Sequence, residues 1–158
     1  MMRATFIGLT ISELLFLSLP AHSQMGMGPG MGMGHGMMNM SMVRHHFAMM
    51  NGIDPRYASM ENPLQANSQN IDGGKKLFEQ NCARCHGVTG RGDGRDGESL
   101  NPRPANVAAA SKMPMATDGY LYWTITEGGV PLGTGMPAFG GVLKEQEIWE
   151  IITYLRVL

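Results

Sequence analysis

Apolar residues recur at helical spacing in three places along the second half of the chain. Ile148, Ile151, Ile152 and Leu155 follow an i, i+3, i+4, i+7 rule and predict a helix from about Lys144 to Val157. Its first turn carries Glu145 and Glu147 and its last carries Arg156, each sign matched to the helix dipole. Tyr120, Leu121, Trp123 and Ile125 predict a second helix over 118–127, opened by Thr117 as N-cap and ended by Gly128. The first in chain order runs from about Ile71 to Asn81, with Asn70 as N-cap and Gly74, Leu77 and Phe78 on one face. Glycine- and proline-rich loops separate them, and no run alternates as a strand does. The pattern predicts an all-α domain over residues 70–158. Roughly 90 residues bury only a modest core, so a bound group would supply the missing apolar centre.

Upstream the periodicity disappears. Residues 1–23 combine Arg3, an apolar run from Phe6 to Leu19, and Pro20-Ala21-His22-Ser23, the layout of a secretory signal peptide. The run is shorter than the roughly 20 apolar residues that span a membrane, so the expected product is a periplasmic protein with no membrane span in the mature chain. Residues 24–50 are of low complexity and rich in Met, Gly and His, with ten methionines between Met25 and Met50. Glycine at that density costs too much entropy to order without a partner, so a flexible extension is expected. Residues 51–69, anchored only by Pro55, Tyr57, Pro63 and Leu64, read as an extended linker.

The formal net charge is −1 and no basic run occurs, which argues against nucleic acid as a partner. Gly92-Asp93-Gly94-Arg95-Asp96-Gly97 fits the dinucleotide pattern G-x-G-x-x-G, but no strand precedes it and no helix opens from it. It reads as a flexible loop. Asp93, Asp96 and Glu98 miss the calcium-loop spacing, and no catalytic triad stands out.

The chemistry is concentrated in Cys82-Ala83-Arg84-Cys85-His86, which holds the only two cysteines of the chain. This is the C-x-x-C-H pattern of covalent haem attachment. Two thiols two residues apart match the separation of the haem vinyl groups, and the adjacent imidazole supplies the proximal iron ligand. A zinc site would need a second ligand pair, and a redox dithiol would need a βαβ setting; neither is present.

Over about Ile71 to Leu158 the chain resembles the class I, mono-haem c-type cytochromes. The resemblance is carried by Gly74 and Phe78, Cys82 to Gly87, Arg103-Pro104, Gly135-Met136-Pro137 and Trp149, Tyr154 and Leu155. It implies a small cytochrome c fold around one covalent haem c, with the first and last helices crossing closely, Gly74 against Trp149 or Tyr154. It also implies Met136 as distal iron ligand, with Met113, Met115 and the methionines and histidines of the extension as rivals. By the same resemblance the carbonyl of Pro104 accepts the Nδ1–H of His86, and Arg103 and Trp123 hold a propionate.

The function expected is one-electron transfer between redox partner proteins that dock transiently, rather than enzymatic catalysis. Three alternatives stand beside it. One is a five-coordinate haem acting on peroxide or a gas. Another is a haem subunit of a larger oxidoreductase. The third is a copper-handling cytochrome, in which His35, Met37, Met38, His45 and His46 bind copper, thioethers suiting Cu(I) and imidazoles Cu(II).

Overall fold

The computed structural model describes residues 42–158, which form helices and loops without a strand. The helices are α1 Val43–Asn51, α2 Ser68–Asn81, α3 Ala83–His86, α4 Val107–Ala110, α5 Asp118–Glu127 and α6 Glu145–Val157. Single 3-10 turns lie at Arg95–Gly97 and Val130–Leu132. None of these helices is long and apolar enough to cross a membrane.

Helix α5 has the bounds that its pattern predicts. Thr117 Oγ1 accepts the Tyr120 N–H at 3.1 Å, and Gly128 ends the helix at φ +66°. Helix α2 starts earlier than expected, because Asn67 rather than Asn70 is its cap. The Asn67 side chain accepts the Asn70 N–H at 2.9 Å, while the Asn70 amide donates back to the Gln65 carbonyl at 2.8 Å. At the start of α6, Lys144 has no side-chain acceptor to offer. The Glu147 carboxylate instead accepts the Lys144 N–H at 2.7 Å.

The core is the crossing of α2 and α6. Phe78, Ile148, Ile151 and Ile152 are fully buried there, each contributing roughly 1.5–3 kcal/mol by burial. Gly74 sets the approach: a Cβ at this position would overlap the Glu150 carbonyl and press on Tyr154. The aromatic partner of the crossing is Tyr154, whose ring lies 5.6 Å from that of Phe78. Trp149 faces the other way and stacks on Tyr122 of α5 at 4.4 Å. Arg156 then ties the last turn of α6 to the α4–α5 connection, donating to the carbonyls of Ser111 and Ala116 and to the Asp118 carboxylate.

The segment before α2 is more ordered than its composition suggests. Residues 43–50 fall in the segment expected to be flexible, yet with Asn51, the first residue of the expected linker, they form α1, a stretch free of glycine. The required partner is α5: Phe47 packs 6.0 Å from Trp123, and Ala48 is buried. Residues 52–67 run on as a strap against the domain. Asn62 donates to the Trp149 carbonyl and to Thr153 Oγ1, and its own N–H bonds to Asp118. The signal segment 1–23, and with it His35, Met37 and Met38, lies outside the described residues.

Candidate cofactor site

Helix α2 delivers the C-x-x-C-H motif without a break. The Cys82 N–H closes the last turn of α2 on the Phe78 carbonyl at 2.8 Å, and the Cys82 carbonyl accepts from Cys85 and His86 at 3.1 and 2.9 Å. Both thiols and the imidazole therefore sit on one tight turn. The loop read as flexible is folded against it: the Gly92 N–H bonds to the His86 carbonyl at 2.8 Å and the Gly94 N–H to that of Cys85 at 3.1 Å. A Cβ on Gly94 would come within 2.5 Å of the Arg84 carbonyl. The glycines that imitate a phosphate loop thus serve close backbone contact.

His86 is held by a single bond from Nδ1 to the carbonyl of Ala105, at 2.9 Å. This corrects the expectation of Pro104 by one residue; the Pro104 carbonyl instead lies beside Gly92. The bond assigns the proton to Nδ1, which leaves Nε2 as the nitrogen with a free lone pair. Burial lowers the His86 pKa, partly opposed by the Ala105 bond, which favours the neutral form that a metal ligand requires. Burial likewise pushes the Cys82 thiol up to about 12, with the neighbouring Cys85 adding to the rise. A thiol so raised is a poor thiolate nucleophile, which counts against redox dithiol chemistry.

The motif opens into a cavity of about 860 Å³, at the large end of the roughly 300–1,000 Å³ that small-molecule sites occupy. Cys82, Cys85 and His86 form one part of its wall, and Met136 and Met113 also lie on it; Met115 does not. Phe78, Ile151 and Leu155 bring the core to the same wall. An apolar cavity bearing two thiols, a neutral imidazole and a thioether fits a covalently held haem in size and in donor set.

Arg103 lines the cavity as expected, together with Pro104. Trp123 does not. It is buried behind the wall, where its ring carries the guanidinium of Arg44 at 4.4 Å. The composition of the extension concealed the fact that α1 reaches the site: Met42, Arg44 and His45 are all on the wall. The signal was local, in Arg44, Phe47 and Ala48 at i, i+3, i+4 spacing. His45 and His46 stand side by side with ring centroids 6.4 Å apart. Among the described residues no three His, Cys, Asp or Glu side chains gather as a metal site would require.

Residues 69–155, more than half of the chain, match the family described as "Cytochrome C oxidase, cbb3-type, subunit III". A thiosulfate dehydrogenase of Psychrobacter arcticus is 30% identical over 108 residues, covering 68% of this chain and 32% of that protein. The chain thus spans about a third of that relative's length. A chain of a reducing HAO-like protein complex from Kuenenia stuttgartiensis superposes with a TM-score of 0.52 at 30% identity, over 60% of this chain and 46% of that one.

Proposed function

Because the chain belongs to the cytochrome c family of cbb3-type oxidase subunit III domains, we propose that it is a one-electron carrier whose haem c is ligated by His86 and Met136. The observation that carries this reading is the joint placement of Cys82, Cys85, His86 and Met136 on one apolar cavity wall. Haem iron, alternating between Fe(II) and Fe(III), supplies the redox chemistry. The chain's residues supply the rest. Cys82 and Cys85 would hold the group through thioethers. The Ala105 carbonyl orients the His86 ring and makes it a better donor. Met136 would hold the iron through a thioether, a donor that favours the ferrous state and raises the potential. Phe78, Ile151 and Leu155 keep water from the wall they line. Residues 1–23 would direct the chain to the periplasm, where such attachment chemistry takes place.

The test is direct. Haem stain should stay with the polypeptide on a denaturing gel and vanish in Cys82→Ala/Cys85→Ala. Met136→Ala should lose the far-red sulfur–iron band, lower the midpoint potential and admit carbon monoxide, while Met113→Ala should do none of these. The reverse pattern would move the ligand to Met113.

A second reading, a haem subunit serving a larger oxidoreductase, is favoured by the two relatives. One is named as a dehydrogenase about three times the length of the matched region, and the other belongs to a protein complex. Co-purification with a larger redox protein would support it.

A further inference from the structure

Of the arginines on the cavity wall, Arg44 alone is both partly withdrawn from solvent and without a carboxylate partner. Arg44 lies on α1, outside the family match at 69–155, and is half-buried. Its guanidinium lies over the Trp123 ring at 4.4 Å and donates to the Gly128 carbonyl. Among the described residues, no carboxylate lies within ion-pair distance of it; Arg56, Arg84 and Arg156 each have one, and Arg91, Arg95 and Arg103, which also have none, are exposed to water. Withdrawing a guanidinium from water is costly unless a negative group compensates. Burial does lower the Arg44 pKa, only partly countered by Tyr120 and Glu127.

We propose that Arg44 binds a haem propionate, so that α1 is a strap recruited to the cofactor by a charge-assisted hydrogen bond. The inference rests on the haem reading. The cavity fits a haem, and the two propionates of a haem are carboxylates of the kind Arg44 lacks. The guanidinium has five N–H donors in a planar fork, suited to a carboxylate while one donor remains on Gly128. Trp123, expected to touch the propionate itself, becomes a positioning residue that holds Arg44 from behind. Phe47, whose ring packs at a tilt against the same tryptophan, keeps α1 seated.

The experiment uses the full-length, haem-loaded protein with its haem carboxylates labelled with 13C. Two quantities are read: the midpoint potential and the carboxylate stretch in the oxidised-minus-reduced infrared spectrum. Arg44→Gln should lower the potential, because a cation that disfavours ferric iron is lost, and should move the labelled stretch to the position of a hydrated carboxylate. Arg44→Lys should keep most of the potential. Phe47→Asp, which lifts α1 and leaves Arg44 in the sequence, should reproduce the Arg44→Gln result. An unchanged carboxylate band in Arg44→Gln overturns the proposal, whether or not the potential moves. A wild-type chain that carries no attached haem would instead overturn the haem reading.

Discussion

At the scale of single residues, the site depends on backbone atoms as much as on the side chains a motif displays. Gly74 shows this most sharply. In an exposed helix interior, Gly→Ala gains about 0.5–1 kcal/mol. Here the new Cβ meets the Glu150 carbonyl, which cannot rotate aside. Overpacking costs about 1–3 kcal/mol, so the balance should reverse. Gly74→Ala is therefore expected to lower the denaturation midpoint of the holoprotein, whereas Gly73→Ala, which meets only the movable Glu150 carboxylate, should be tolerated better. The same dependence on backbone explains the one-residue error at the histidine. Arg103-Pro104 marks where the chain returns to the imidazole, but the orientation of the peptide plane decides which carbonyl faces it, and no side chain records that. Trp123 was legible as important and not as to its role, because the cation that it carries arrives from far upstream in the sequence.

At the scale of elements, legibility followed how plainly the ends of each helix are marked in the chain. Helix α5 could be read to the residue from its Thr117 cap and Gly128 stop, and α6 nearly so from its i, i+3, i+4, i+7 apolar spacing and charged end turns, although Lys144 offers no side-chain acceptor. Helix α2 was offset at its start because Asn67 and Asn70 are both good caps, and only the folded chain shows which side chain accepts. Helix α1 was missed because the methionine and glycine of its neighbours dominated the reading, although glycine stops at Gly36 and resumes at Gly52. The short α4 has no periodicity to detect; its Asn106 cap accepts from the Ala109 N–H at 3.0 Å. What joins these elements is polar. Arg156 links α6 to α5 and to the connection before it, and hydrogen bonds to a charged group contribute roughly 1.5–3 kcal/mol when shielded. Since Arg156 and Asp118 are both about one-third exposed, Arg156→Gln should cost less, about 1–2 kcal/mol, measured as the change in urea midpoint at constant slope.

For the whole molecule, a net charge of −1 hides an uneven distribution. The cavity wall carries Arg44, Arg84, Arg95 and Arg103, and its one acidic residue, Asp96, is paired with Arg84. Haem propionates would offset part of this and leave the exposed Arg95 facing solvent. Electron exchange with a small anionic reagent such as ferricyanide should slow as salt is raised. The relevant range runs from a screening length of about 30 Å at 0.01 M to about 8 Å at 0.15 M. Exchange with a cationic cobalt reagent should respond in the opposite sense, and Arg95→Glu should weaken both trends. Stopped-flow rates at several ionic strengths read this directly.

The close seat of Gly74 on the backbone of Glu150 also governs the order of events in biogenesis. The thiols lie at the end of α2, but Ile151 and Leu155, which complete the wall beside them, belong to a helix made some seventy residues later. In a chain not yet folded, Cys82 and Cys85 are accessible while the surface that would enclose a haem has not formed. Loading would therefore be open before α6 docks and closed once it has. A variant that docks α6 poorly should still acquire its haem, and should fail afterwards, as a labelled chain that the cell degrades.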